Sequence, residues 1–212
     1  MKQPSAQESI ELPSSGQRGP AEHDRRLQIL RVANEHFRLY GYRKATVADL
    51  SKAIGITTAY IYRFFESKQA IGEAICALVL GELDNELRRL ADQEATATRK
   101  FRAFTRHALM LSHALFMNQS KLFDLVRVAE EESWCTAAGH QAALSEIIRS
   151  ILEQGRRAGE FERKTPLDEV VLAIEEALIP YTRPSAMERR LLPDLEAGMM
   201  ATTSMILRSL AP

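Results

Sequence analysis

Residues 56–68, ITTAYIYRFFESK, carry the side chains that are best suited to binding another molecule in this chain of 212 residues. Tyr60 and Tyr62 offer hydroxyl groups and flat rings, and Arg63 and Lys68 add positive charge to the same segment. Such groups suit contacts with phosphate oxygens and with the edges of nucleic-acid bases. The β-branched and aromatic content alone favours a buried strand instead, so the surrounding elements must decide between the two.

The residue types that metal sites and covalent catalysis use are scattered along the chain. Cys76 and Cys135 have no second Cys or His at ligand spacing, which predicts two free, partly buried thiols, with a redox pair as the alternative. His107 and His113 are six positions apart and do not share a helical face, so we predict no metal pair. The sequence also has no nucleophile elbow or phosphate loop, and therefore suggests neither an enzyme nor a cofactor.

The formal net charge is zero, which argues against a polybasic protein, but the charge is uneven along the chain. Residues 21–75 carry nine basic and six acidic side chains, whereas residues 76–212 carry 17 basic and 20 acidic ones. This pattern predicts a mildly basic amino-terminal module followed by a mildly acidic, larger one. The start of the chain does not resemble a signal peptide and no apolar run approaches bilayer length, so we expect a cytoplasmic protein.

Residues 1–20 are rich in Pro, Ser, Gln and Gly and are predicted to form a disordered arm. Apolar positions then recur every three or four residues up to Tyr40, where Gly41 ends a first helix. Thr46, with Asp49 three residues later, predicts the capped start of a short second helix that closes at Gly55. Two helices separated by so short a turn predict a helix-turn-helix.

The position of residues 56–65 favours a helix over a strand. Thr57 can cap a third helix, Ser67 can cap a fourth, and no other segment could pair with a strand here. As a helix, the segment turns Ile61 and Phe65 to one side, four positions apart, toward a small core. This arrangement leaves Thr58, Tyr62 and Arg63 largely exposed. The partners predicted for that core are Phe37, Leu50 and Ile54.

The remaining sequence predicts helices only. A long fourth helix follows Lys68, and further helices are predicted at about 97–117, 119–133 and 135–158, then from Pro166 to before Pro180, and from about Pro193 to Leu210. The predicted fold class is all-α. We expect a helix-turn-helix domain at residues 21–67 and a larger helical domain for effector binding and dimerisation at residues 68–212.

The segment TVADLSKAIGITTAYIYRFFESKQAI resembles the DNA-binding signature of TetR-family transcriptional regulators. The capping residues, the glycine, the aromatic pair and the lysine all stand at the offsets of that signature, over about 45 residues from Leu27 to Ile75. The resemblance implies a homodimeric repressor that binds double-stranded operator DNA and responds to a small-molecule effector. The rest of the chain is similar to the family in architecture alone.

The resemblance implies two sets of DNA contacts, one to phosphates and one to base edges. Tyr62 and Lys68 stand at the family's phosphate-binding positions, and Thr46 and Thr57 can bind phosphate while they cap helices. Thr58, Ala59 and Tyr60 occupy the base-reading part of the recognition helix. The further candidates for the DNA backbone are Arg43, Lys44 and Arg63. Tyr60 stands where the family has a smaller residue, and Phe64 where it has His or Tyr, so the operator sequence cannot be transferred.

In the family, the last two helices of each subunit pair across a two-fold axis, and here an ordinary intrachain core is the alternative. The predicted interface residues are Val170, Val171, Ile174, Leu178, Leu195, Gly198, Met199, Thr202, Met205 and Ile206. A two-fold dimer would present two recognition helices about 34 Å apart, which matches a palindromic operator.

The middle helices carry Met and aromatic side chains that could line an adaptable effector pocket, with ordinary core packing as the alternative for each residue. The predicted pocket residues are Phe104, His107, Leu111, Phe116, Met117, Phe123 and Trp134. The acidic run at residues 130–132 is interpreted as a solvated face, with recognition of a cation as the alternative.

We therefore predict a repressor that a small apolar or amphipathic effector releases from DNA, with efflux genes as a candidate target. An enzyme and a helical interaction module without DNA binding are the alternatives from other functional classes. The near-neutral charge and Phe64 motivate the second alternative.

Overall fold

The structure, a computed structural model, describes residues 20–188 and 190–212 and contains helices without strands in those ranges. The all-α prediction is confirmed. The helices are α1 Pro20–Tyr40, α2 Val47–Ile54, α3 Thr58–Tyr62, α4 Lys68–Asp92, α5 Ala97–Asn118, α6 Ser120–Glu131, α7 Cys135–Ala158, α8 Leu167–Thr182, α9 Pro184–Met187 and α10 Leu192–Ser209. The arm predicted at residues 1–20 lies outside the described residues, apart from Pro20, at which α1 begins.

Most helix ends follow from local sequence signals. Gly41 and Gly159 end α1 and α7 in the left-handed region, with φ of 82° and 75°. The prediction for α8 was wrong at its end, because Pro180 lies inside the helix. Since Pro180 is in the last turn, its missing N–H costs a single hydrogen bond there, and α8 continues to Thr182. The short helix α9 was not predicted.

Two hydrophobic clusters lie along α4, which contributes to both. The first, here called the head core, joins α1–α3, the first half of α4 and α6; its members include Phe37, Leu50, Ile61, Ile71, Ile75 and Leu122. The second, the body core, joins the second half of α4 to α5, α7, α8 and α10; its members include Leu87, Phe101, Phe104, Leu152, Val171 and Met199. The head core therefore continues past the predicted boundary at residues 67 and 68.

The amino terminus of α5 is capped by a residue distant in the sequence. The two carboxylate oxygens of Glu160 accept hydrogen bonds from the N–H groups of Ala97 and Thr98, each at 3.0 Å. Thr96 accepts the next N–H, that of Arg99, at 3.3 Å. The bond from the Thr98 N–H, followed by that from Ala97, holds the pKa of the Glu160 carboxyl below its ordinary value. Glu160 thus satisfies helix donors that would otherwise be unpaired and ties the end of α7 to α5.

Glu160→Gln should lower the free energy of unfolding at neutral pH by about 1–2 kcal/mol, as for a lost cap. The folded-state pKa of Glu160 lies below the ordinary value of 4.5. The stabilisation by the carboxylate is therefore present above pH 4.5 and is lost as the pH falls from 4.5 toward the folded-state pKa. Urea unfolding at several pH values should therefore show the difference between parent and variant at pH 7 and its decline in acid. A difference independent of pH would contradict the capping role of the ionised carboxylate.

Helix α7 contains two glycines with opposite expected responses to a methyl group. A Cβ at Gly155 would lie 2.1 Å from Cδ2 of Phe161, whereas a Cβ at Gly139 would meet nothing within 4 Å. Since Phe161 is itself buried, Gly155→Ala should destabilise the fold by about 1–3 kcal/mol through overpacking. Gly139→Ala should instead stabilise it by up to about 1 kcal/mol, because Ala favours helix. Thermal unfolding of the two variants should shift in opposite directions; equal shifts would contradict the packing of Phe161 on α7.

Candidate nucleic-acid interface and effector cavity

The turn between α2 and α3 is fixed by side-chain caps at both ends. Thr46 and Asp49 form the predicted capping box: Asp49 N–H donates to Thr46 Oγ1 at 3.1 Å and Thr46 N–H donates to Asp49 Oδ2 at 3.0 Å. Gly55 closes α2 with φ of 77°, and Thr57 accepts the N–H of Tyr60 at the start of α3. These bonds fix the orientation of α3 relative to α2.

Helix α3 has one buried and one exposed side, as predicted. Ile61 and Phe65 are buried in the head core, while Ala59, Tyr62 and Arg63 are exposed, Tyr62 with 49% of its surface. Thr58 differs from the expectation of an exposed side chain: it is half-buried, and its hydroxyl donates to Ser51 Oγ at 3.2 Å. The hydroxyl of Thr58 therefore has a partner in α2 that competes with any external one.

Tyr60 and Phe64, which depart from the family signature, pack against each other. Their rings meet edge to face with centroids 5.3 Å apart, and the Arg63 guanidinium lies 5.3 Å from the Tyr60 centroid. Phe64 is buried, and its carbonyl accepts a hydrogen bond of 2.8 Å from Arg26 of α1. Phe64 thus belongs to the core, where its lack of a polar group is favourable, and Tyr60 covers it.

Lys68, at the start of α4, contacts the segment that leads into α2. Its ammonium donates to the carbonyl of Arg43 at 3.3 Å and lies 4.4 Å from the centroid of the Tyr42 ring. Burial lowers the pKa of Lys68, and Glu132 partly opposes this shift. Lys68 therefore holds the loop before α2 while remaining partly accessible at the same surface as α3.

Arg43 and the neighbouring Lys44 are both exposed, but they have different surroundings. Arg43 Nη2 pairs with Glu131 Oε2 of α6 at 3.0 Å, whereas Lys44 borders a shallow groove between α1 and α2. Glu131 also pairs with Arg127 at 2.7 Å, one turn earlier in α6. The predicted DNA-contact residue Arg43 is thus tied to a helix residue that lies 88 positions later in the sequence.

The acidic run at residues 130–132 is not a simple solvated face. Glu130 lies 3.7 Å from Arg183, Glu131 pairs with Arg43, and Glu132 accepts a hydrogen bond of 3.0 Å from Trp134 Nε1. The three neighbouring carboxylates therefore connect α6 to three different elements.

The predicted pocket residues do not converge on one cavity. Phe104 is in the body core and Phe123 in the head core, while Met117 is exposed. Phe116 stacks on Phe123 with centroids 4.8 Å apart. Of the other three, His107 donates from Nδ1 to the Ala103 carbonyl at 2.8 Å, Leu111 lines a shallow groove beside α4, and Trp134 lines a separate cavity. Met and aromatic content alone could not separate core positions from pocket positions.

The cavity beside Trp134, here called the α6–α7 cavity, lies between α4, α6, α7 and the junction of α8 and α9. Its volume is about 390 Å³. The apolar wall consists of Leu80, Val126, Trp134 and Leu144, and the polar end includes Glu130 and Arg183. A mostly apolar cavity with few polar groups is suited to a small organic ligand.

The predicted dimer residues divide into buried and accessible sets. Gly198 and Thr202 contact Tyr181 of the same chain, Val170 is half-buried and Met205 is exposed. The buried members belong to the body core: Val171, Ile174, Leu178, Leu195, Met199 and Ile206. Side chains in the core of their own chain offer little surface to a partner. The exposed apolar side chains on the same two helices are Leu172, Met200 and Met205.

The two cysteines are free, as predicted, but only Cys76 is buried; Cys135 is exposed. Burial raises the pKa of the Cys76 thiol to about 11, so it is uncharged at neutral pH. No helix in the described part of the chain is long and apolar enough to cross a membrane. Within the same ranges, no three His, Cys, Asp or Glu side chains are grouped as a metal site would require.

Two family models match this chain over its two parts. Residues 29–75 match the bacterial regulatory proteins of the tetR family, and residues 97–201 match the tetracyclin repressor-like C-terminal domain. The chain belongs to the TetR family. As a TetR-family protein it is a DNA-binding transcriptional regulator and not an enzyme.

Individual relatives of this TetR-family chain are distant in sequence. The nucleoid occlusion factor SlmA of Vibrio cholerae is 26% identical over 165 residues, which cover 72% of this chain and 78% of that protein. A TetR/AcrR-family regulator from Thermobifida fusca superposes with a TM-score of 0.62 at 22% identity, covering 87% of this chain and 97% of the other. FadR of Thermus thermophilus, a repressor in complex with lauroyl-CoA, gives a TM-score of 0.62 at 20% identity, covering 88% and 95%. At these identities the two structures show a shared fold.

Proposed function

We propose that this TetR-family chain is a homodimeric, cytoplasmic repressor that a small apolar or amphipathic effector releases from a palindromic operator, with efflux genes as a candidate target. The observation that carries the proposal is the exposed side of α3, where Ala59, Tyr62 and Arg63 lie between a capped turn and Lys68. Such a surface combines groups for base edges with groups for phosphates.

The proposed DNA contacts divide by chemistry. Ala59 and Tyr60 would face base edges, and Thr58 would join them only by giving up its hydrogen bond to Ser51. The proposed phosphate contacts are Arg43, Lys44, Thr46, Thr57, Tyr62, Arg63 and Lys68. The two threonines would add backbone N–H groups at helix amino termini, where the helix dipole favours an anion.

For the dimer we propose the exposed faces of α8 and α10, centred on Leu172, Met200 and Met205. Exposed apolar side chains on two adjacent helices form a surface that a second copy can bury. The two copies would then present their α3 helices about 34 Å apart on one face of the duplex.

The proposal is tested by measuring binding of the purified protein to duplexes that tile the DNA beside its own gene, followed by footprinting of any bound duplex. We expect one segment bound at least about 1,000-fold more tightly than unrelated DNA, with a protected region of two-fold symmetry. Equal affinity for all duplexes would contradict a specific operator, and no binding would favour an interaction module instead.

The ion pair between Arg43 and Glu131 gives a further prediction about affinity for DNA. Glu131→Gln should release the Arg43 guanidinium toward phosphate and tighten operator binding by about 1.5- to 5-fold, because an exposed pair is worth about 0.2–1 kcal/mol. Fluorescence anisotropy with labelled operator would measure the change, with Glu146→Gln at an exposed position of α7 as the matched control. Weaker binding by Glu131→Gln would mean that the pair holds Arg43 in its DNA-binding position.

A further inference from the structure

Glu130 lines the α6–α7 cavity, and one oxygen of its carboxylate lacks a hydrogen-bond partner. Glu130 Oε2 is buried and accepts no hydrogen bond from any described residue. Its other oxygen lies 3.7 Å from Arg183 Nε, a separation too long for a hydrogen bond, and the Arg183 side chain is about half exposed. A buried acceptor left unpaired is costly, so this position favours a molecule that brings a donor.

Two other polar side chains that line the cavity already have partners. His140 Nδ1 lies 2.6 Å from Asp84 Oδ1, which links α7 to α4, and Thr182 donates from Oγ1 to the carbonyl of Leu178 at 3.1 Å. Glu130 is the acidic residue among those that line the cavity, and it has free hydrogen-bonding capacity. The apolar wall would exclude water from the body of a ligand.

We propose that the α6–α7 cavity is the effector site of this regulator and that it recognises amphipathic amines. This inference rests on the proposed function, because it names the ligand class that would regulate DNA binding. The protonated amine of the ligand donates to the Glu130 carboxylate, and a compact hydrocarbon body packs against Trp134, Val126 and Leu144. A charge-assisted hydrogen bond in a partly buried site is stronger than one between neutral groups, which sets the preference for an amine.

Contacts around the cavity connect it to the proposed DNA surface. The Trp134 ring meets the Tyr42 ring edge to face with centroids 5.3 Å apart, and Tyr42 in turn lies beneath the Lys68 ammonium. Glu131, next to Glu130 in α6, pairs with Arg43. A ligand that moves Trp134 or the end of α6 therefore acts on residues directly joined to Lys68 and Arg43.

The sole tryptophan of the chain provides the measurement, because Trp134 lines this cavity. The probes are adamantan-1-amine, adamantan-1-ol and adamantane-1-carboxylate, which share one hydrocarbon body and do not absorb where tryptophan does. The amine should change Trp134 fluorescence saturably and bind at least about 10-fold more tightly than the carboxylate, with the alcohol between them. No saturable change with the amine, or equal affinity for amine and carboxylate, would overturn the proposal.

Two variants of acidic side chains locate the recognition. Glu130→Gln should weaken binding of the amine by about 10-fold and leave the alcohol nearly unchanged, since the charge is lost and the shape is kept. Glu146→Gln, on α7 and outside the cavity lining, should leave both affinities unchanged. Equal effects of the two variants would overturn the assignment of Glu130.

Operator binding by the ligand-free protein, measured on the same preparations, separates the two proposals. If the parent protein binds its operator but no adamantane probe changes its fluorescence, the effector site is wrong and the repressor remains. If amine binding is observed and no DNA is bound, the proposed function fails. Both proposals predict that the amine weakens operator binding, and the Glu130→Gln variant should need about 10-fold more amine for the same effect.

Discussion

Phe37→Ala should lower the free energy of unfolding by about 3–5 kcal/mol, a large share of the stability of a domain. Phe37 is 0% exposed in the head core, and its ring meets the Tyr42 ring edge to face with centroids 5.3 Å apart. Removing the ring leaves a cavity between α1 and the loop that precedes α2. DNA binding should fall with stability, because Tyr42 orients Lys68.

Leu39→Ala, two residues along the same helix, provides the matched control for this effect. Leu39 is 69% exposed, so its truncation should change stability by less than about 0.5 kcal/mol. Chemical unfolding followed by far-UV circular dichroism would measure both variants. Similar losses of unfolding free energy for Phe37→Ala and Leu39→Ala would contradict the orientation of α1, which turns Phe37 toward the head core and Leu39 toward solvent.

The double variant Tyr62→Ala with Lys68→Ala should weaken operator binding by about 100-fold or more, since hydrogen bonds to charged groups are worth about 1.5–3 kcal/mol each. Tyr62 is exposed on α3, and Lys68 is the first residue of α4. Because a dimer carries two copies of each residue, every half-site loses its contacts. Dimerisation should persist, since both residues lie far in sequence from α8 and α10.

Two controls separate a lost phosphate contact from a lost fold or a change in net charge. Lys68→Arg alone keeps the positive charge at this position and should retain much of the affinity. Lys164→Ala removes one exposed positive charge between α7 and α8 and should have little effect on DNA binding. Undiminished operator binding by the double alanine variant would contradict our assignment of both residues.

Local signals in the sequence predicted the helices well because those signals act over a few residues. The capping box of Thr46 and Asp49 and the glycine at position 55 determine α2 through bonds between near neighbours. The same is true of Ser67 at the start of α4. The prediction that α8 ends before Pro180 was wrong because the effect of a proline depends on its distance from the end of the helix. The surrounding residues determine where that end lies.

Contacts between distant residues could not be predicted in this way. Arg43 and Glu131 are 88 positions apart, and Glu160 caps a helix 63 positions earlier. Neither contact produces a periodic pattern in the amino-acid sequence, although both carboxylates lie beside helix ends. The burial of Ile174 and Met199 in the body core could not be predicted either, because an apolar stripe has the same sequence pattern whether it faces its own core or a partner.

The central claim is that this TetR-family chain binds its operator through phosphate contacts made by two recognition surfaces of a dimer. The most direct test is the dependence of operator affinity on salt concentration for the parent protein and for Lys68→Ala. We expect the logarithm of the association constant to fall linearly with the logarithm of salt, with a slope of about −5 or steeper. Lys68→Ala should reduce the steepness by about 2, one unit for each subunit. An affinity insensitive to salt, or an identical slope for the variant, would contradict the account.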